Sequence, residues 1–211
     1  MTHPQTDVVE PLAGEGGGDR LRVLAAAIAA YRVRAFHEVT LEVVAEESGL
    51  DLAAVRACFA TSDDLVLAVI TVWNGERLGP ILPVAERMGA AAFLRSVVVA
   101  NAADPALMRL LSAMVNIAAT PGHPVAPVLQ QQWNHFHAVV QRALIHDIAI
   151  GREAAGVDAA QGAEQLIALY EGLQLQSMVR PNMDVVAAYE RAVARLRDGW
   201  ARLEPTQLWE L

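Results

Sequence analysis

The sequence predicts an all-α protein: an N-terminal three-helix domain built around a helix-turn-helix, followed by a larger C-terminal helical bundle. Three observations carry that prediction. Ala, Leu, Glu and Arg are abundant, and all four favour helix. Apolar residues recur at three- and four-residue spacing, and no alternating run of Val, Ile and Thr marks a strand. Breakers such as "GPILP", "ADP", "TPGHP", "GREAAGVD" and "RPN" then cut the chain into helix-sized segments. At 211 residues it has room for a small domain joined to a larger one.

Residues 1–18 end in "GEGGG" and carry few large apolar groups, which predicts a mobile tail. Asp19 is then a candidate N-cap for a helix whose stripe is Leu21, Leu24, Ala25, Ile28, Tyr31 and Ala35. In "VTLEVVAEESGLDLAAVRACF", Thr40 can cap one short helix, Ala45 is small enough for a tight crossing, and Gly49 supplies a left-handed turn. Val44, Leu50, Val55 and Phe59 fall where a helix pair needs buried apolar groups. The lone cysteine, Cys58, sits beside Phe59 and reads as a small core residue.

"TSDDLVLAVITVWNGERLG" predicts a helix capped by Thr61 or Ser62, with Asp63 and Asp64 favourable in its first turn. Further helices are expected near 84–101, 105–119 (Asp104 as cap), 125–150, 159–179 (Asp158 as cap) and 184–203. That makes about nine helices, divided as tail 1–18, helix-turn-helix domain 19–62 and bundle 63–211.

The net charge of −8 argues against indiscriminate binding to nucleic acid or anionic membrane, and leaves room for a local basic patch. All 16 cations are arginine, each a planar fork suited to bidentate pairing. One cysteine permits no internal disulfide and fits a reducing compartment. There is no basic segment leading into an apolar run at the N-terminus, and the apolar stretches near Met88–Leu94 and Val97–Ala100 are short for a membrane span. The expectation is a soluble, cytoplasmic protein with no membrane partner.

The run "VLAAAIAAYRVRAFHEVTLEVVAEESGLDLAAVRACFATSDDLVLAVI" resembles the TetR family of bacterial transcriptional regulators, with Ala27, Phe36, Thr40, Ala45, Gly49, Phe59 and Leu65 on family positions. "GREAAGVDAAQGAEQLIALYEGLQLQSMVRP" is similar to the family's penultimate helix. The resemblance implies a homodimer pairing through the last two helices, a ligand cavity in the larger bundle, and operator DNA as partner. Where the family commonly has a lysine after Phe59 this chain has Ser62, and Arg56 stands where a tyrosine is common.

On a recognition helix from Asp51 to Phe59, Leu52, Ala53, Arg56 and Ala57 share the groove-facing side. Of these, only Arg56 can contact guanine bidentately, worth roughly 1–3 kcal/mol of discrimination; the other three suit thymine methyls. Thr40, Thr61 and Ser62 are candidate phosphate donors, together with Arg20, Arg22, Arg32 and Arg34 of the first helix. Against them, Asp19 to Arg77 holds six arginines and nine acids, a local net of −3.

For the ligand, Met108, Met114, Asn116, Trp133, Phe136, His137, Tyr170, Gln174 and Met178 mix adaptable apolar surface with polar handles, as effector cavities do. No metal or other cofactor is expected: His135 and His137 point roughly 200° apart on a helix, and His146 lies roughly 16 Å further along it. No G-x-S-x-G and no phosphate-cradling loop supports catalysis. Two readings follow: an effector-responsive regulator, a repressor released from DNA by a small, mainly apolar ligand; or a TetR-like dimer that binds a ligand or partner and has weak or lost DNA binding.

Overall fold

The computed structural model describes residues 15–202. Among them are ten α-helices and no strand: α1 Glu15–Val33, α2 Leu41–Ser48, α3 Leu52–Cys58, α4 Ser62–Leu78, α5 Leu82–Met88, α6 Ala90–Ala103, α7 Pro105–Ala118, α8 Ala126–Ala149, α9 Ala159–Val179 and α10 Val185–Trp200. The expected all-α class is the observed one. The chain forms two compact units, Met1–Val69 and Ile70–Leu211, which divide inside α4 rather than at 62/63, where its N-terminus suggested a boundary. Leu65, Val66 and Val69, from the first turns of α4, are buried residues of the smaller unit.

In the smaller unit α1, α2 and α3 pack on one another. Most of the expected tail, residues 1–14, lies outside the described residues, whereas Glu15–Gly18 already belong to α1. Asp19 is therefore inside the helix, paired with Arg22 at 3.4 Å, and is no cap. The buried stripe is also rotated from the expected one. Val23, Leu24, Ala27, Ala30 and Tyr31 face inward, while Leu21 is 62% exposed and Ala25 and Ala35 are exposed. Both stripes have helical spacing, and in so alanine-rich a segment periodicity alone does not choose between them.

Local chemistry sets the ends of α2 and α3. The Thr40 side chain accepts from Val43 N–H at 3.4 Å, and that of Asp51 from Ala54 N–H at 2.7 Å. Gly49, at φ 67° and ψ 23°, closes α2 while Leu50 N–H returns to Ala45 carbonyl at 3.2 Å. Two arginines of α1 hold the opposite ends. Arg22 donates to Ser48 carbonyl at 2.9 Å, and Arg20 donates to Cys58 carbonyl at 2.6 Å while lying 4.1 Å above the Phe59 ring.

In the larger unit α6, α8, α9 and α10 enclose an apolar core that includes Phe93, Leu94, Val97, Leu144, Leu166, Tyr189, Val193 and Trp200. Asp104, Asp158 and Asp184 cap α7, α9 and α10 through backbone N–H groups, the first two at the positions expected. The segment expected as one helix over 84–101 is two. Gly89, at φ 89° and ψ 177°, separates α5 from α6, because a buried carboxylate from α8 occupies the break: Asp147 accepts from Ala90 N–H at 2.8 Å and pairs with Arg152.

Ser62–Met88, α4 with α5, has the length and mean hydropathy (1.3) of a membrane span, a stretch other than those named above. Its Leu65, Val66, Val69, Ile70 and Trp73 are buried within the protein, and 28% of the apolar stretch is buried in all.

Candidate functional site

Two regions carry the expected functional residues, one in each unit. In the smaller unit, α3 buries Val55 and presents Ala53, Arg56 and Ala57 to solvent, with Leu52 half-buried. Thr40, Thr61 and Ser62 are exposed as well. Thr61 also caps α4, in a reciprocal pair: its hydroxyl donates to the Asp64 carboxylate at 2.8 Å and accepts from Asp64 N–H at 3.1 Å. Arg56 donates to Glu42 at 3.2 Å, and both side chains are more than half exposed. The Glu42 carboxyl is held below its ordinary value, first by its own backbone N–H at the start of α2, then by the Thr40 hydroxyl, and least by Arg56.

Three of the arginines expected to meet phosphate have partners within their own unit, although Arg22 and Arg34 remain exposed. Besides the carbonyl contacts of Arg20 and Arg22, Arg34 pairs with Glu47 at 2.9 Å. These cations offset the C-termini of α2 and α3 and one α2 carboxylate, that of Glu47.

The larger unit contains a cavity of about 850 Å³ walled by α4, α7, α8 and α9, with Leu82 of α5 and Phe93 of α6. Met108, Trp133, Phe136, Tyr170 and Gln174 line it; Met114, Asn116, His137 and Met178 do not. Helical geometry accounts for the division. On α7 the lining positions are Met108, Leu111, Ser112 and Val115, a stripe at three- and four-residue spacing, which leaves Met114 in the core and Asn116 exposed. On α8 the stripe is Gln132, His135, Phe136 and Val139, so His135 lines the wall and His137 is off it. The rings of Phe93, Phe136 and Tyr170 form a chain with centroids 6.0 and 5.8 Å apart.

The α4 wall was missed in the sequence, although Thr71, Asn74, Gly75 and Leu78 make a stripe of mostly small or polar residues there. It brings Arg77 to the cavity. The guanidinium donates to Asn101 Oδ1 and, at 2.6 Å, to Asn74 Oδ1, and lies 4.2 Å from the Trp73 ring. Burial pushes Arg77 below its ordinary value, with neighbouring Tyr170 acting the other way. Asn101 is fully buried and donates through Nδ2 to Tyr170 Oη at 2.9 Å and to Gln174 Oε1 at 3.2 Å. Burial likewise raises the Tyr170 phenol, against the smaller lowering effects of Arg77 and Asn101. A lone asparagine inside "VVVANAA" was the available signal for this network.

The fold has clear relatives among solved structures. A TetR transcription regulator from Haloarcula marismortui superposes with TM-score 0.73 at 19% identity, covering 87% of this chain and 98% of that one. SmeT in complex with triclosan gives TM-score 0.65 at 21% identity, covering 92% and 99%. The transcriptional regulator FadR from Bacillus subtilis, in complex with stearoyl-CoA, gives 0.65 at 15%, covering 85% and 98%. No protein-family model matches the sequence, and neither does any curated protein. The chain thus has the all-α fold of TetR-type transcriptional regulators.

Proposed function

We propose that this chain is an effector-responsive transcriptional regulator, a repressor that binds operator DNA as a homodimer and is released by a small, mainly apolar ligand in the larger unit. The observation that carries this reading is the outward face of α3. Ala53, Arg56 and Ala57 are exposed on a helix whose start is capped by Asp51 and whose end is held by Arg20. In this reading Arg56 reads guanine, Leu52, Ala53 and Ala57 meet thymine methyls, and Thr40, Thr61 and Ser62 contact phosphates.

The ligand half rests on the cavity, whose wall is largely apolar and aromatic. Two proteins of the same fold were solved with apolar or lipid-like molecules, triclosan and stearoyl-CoA. Pairing through the last two helices, α9 and α10, is supported on α9 by Val179, which is 75% exposed. The ligand acts by preferring one spacing of the two α3 helices over another. The reading places the protein in the cytoplasm, with no catalytic role.

The test is a fluorescence-anisotropy titration of the full chain against the DNA upstream of its own coding sequence, at low salt. Saturable, sequence-dependent binding that a cavity ligand reverses is the expected result. A second reading is a dimer of this fold that binds a ligand or partner and has lost DNA. It is favoured by the engagement of Arg20, Arg22 and Arg34 with groups of their own unit, which compete with phosphates for these cations. Ligand binding without saturable DNA binding would select it.

A further inference from the structure

Among the described residues, the cavity wall holds a part-buried cation and no buried anion. Arg77, His135, Tyr170 and Glu171 are its titratable side chains. Glu171 is exposed and accepts from Trp133 Nε1–H at 2.9 Å, and among the described residues no carboxylate forms an ion pair with Arg77. Its protein acceptors are two neutral amide oxygens, on Asn74 and Asn101, and its buried Nε–H has no protein acceptor. An uncompensated charge in such a place is costly, and an amide dipole offsets only part of that cost.

The direction of the neighbouring hydrogen bonds adds a second donor. Asn101 turns Oδ1 to Arg77, so its Nδ2 must be the group facing Tyr170 Oη and Gln174 Oε1. Tyr170 Oη is therefore an acceptor in this network, and among the described residues its own O–H has no hydrogen-bond acceptor. One end of the cavity thus gathers a guanidinium and a phenolic O–H, while Phe93, Leu111, Phe136 and Leu175 supply apolar wall.

We infer that the cavity takes an amphipathic monoanion: an apolar body against the aromatic and aliphatic wall, and a carboxylate or equivalent head on Arg77 and the Tyr170 hydroxyl. This rests on the reading of the cavity as the effector site, and sharpens it from an apolar ligand to an apolar acid. A carboxylate supplies the missing countercharge and accepts in the bidentate geometry that a guanidinium favours.

The test uses the full chain and two matched pairs, decanoate with decan-1-ol and 2-naphthoate with 2-naphthylmethanol, titrated by calorimetry. In at least one pair the acid should bind about tenfold or more tightly than its alcohol, the scale of a charge-assisted hydrogen bond. Arg77→Gln should remove that preference while changing alcohol binding about twofold or less, and Tyr170→Phe should weaken the acid by a smaller factor. Arg77→Lys, which keeps the charge, should retain part of the preference and guards against a folding defect in the glutamine variant. Equal binding of acid and alcohol in both pairs, or a preference that survives Arg77→Gln, overturns the inference and leaves an apolar effector site standing. Failure of all four compounds to bind overturns both.

Discussion

The guanidinium of Arg56 stands 3.2 Å from the carboxylate of Glu42, tying the exposed face of α3 to the first turn of α2. Solvent reaches both partners, so the pair is weak and easily exchanged. Glu42 does not depend on it: the helix N-terminus and Thr40 do more than Arg56 to keep the carboxyl ionised. On the proposed reading, Arg56 leaves for a phosphate or a guanine at small cost, and Glu42 is the competitor for it.

Removing that competitor should strengthen DNA binding. Glu42→Gln is expected to tighten operator binding by about two- to fivefold at 0.1 M salt and to steepen its salt dependence. Arg56→Ala should lower affinity and relax base preference by about 1–3 kcal/mol at the position it reads. Anisotropy titrations at several salt concentrations measure both. An unchanged affinity in Glu42→Gln would mean that Arg56 does not reach the DNA.

Arg20 is expected to matter for stability rather than for contact with DNA. It closes the end of α3 through Cys58 carbonyl and covers Phe59. Arg20→Met should cost about 1–2 kcal/mol in urea unfolding, from a lost charged hydrogen bond and cation–π contact. Arg20→Lys keeps a donor but not the flat guanidinium face, so it should fall between the two. Equal stability of all three proteins would show that the end of α3 holds itself.

What the sequence revealed and what it hid separate by range. Thr40, Gly49 and Asp51 act on backbone groups within five residues, so the helix-turn-helix was legible from spacing alone. The bonds of Arg20 and Arg22 to the ends of α3 and α2 were not, because their acceptors, Cys58 and Ser48 carbonyls, are 38 and 26 residues away. The cavity divides the same way. Large side chains such as Trp133 and Phe136 were natural candidates, but which face of α7 or α8 turns inward depends on the packing of other helices. His135 and Arg77 were therefore passed over, and His137 and Met114 were named instead.

The break between α5 and α6 is another long-range effect, and its two sides can be tested separately. Asp147 is 1% exposed, and removing it strands the Ala90 N–H while the part-exposed Arg152 guanidinium keeps its bond to Arg87 carbonyl. Asp147→Ala should cost about 1–3 kcal/mol, the penalty for a buried donor left without its acceptor, and Asp147→Asn less because an acceptor for Ala90 survives. Gly89→Ala should also destabilise, by at least about 1–3 kcal/mol for backbone strain alone. Its new Cβ would in addition lie 2.7 Å from Asp147 Cγ. Chemical denaturation followed by far-UV circular dichroism gives all three values, and a neutral Gly89→Ala would contradict the assigned backbone.

Alkaline pH offers a test that needs no mutation. The chain has three tyrosines, and Tyr31, Tyr170 and Tyr189 are all buried. Burial raises each phenol above its ordinary value of 10.0, aided at Tyr31 by Asp63. The Tyr189 hydroxyl also donates to Ala91 carbonyl at 3.1 Å, a bond that phenolate cannot make. Above the unfolded tyrosine value the unfolded chain loses these protons and the folded chain keeps them, so stability falls as pH rises. The contribution is intact below about pH 10 and drains away above it. Phenolate absorbance near 295 nm should therefore stay low past the normal tyrosine range and then appear together with loss of the helical signal. A smooth titration near pH 10 with the helices intact would show that the tyrosines are accessible.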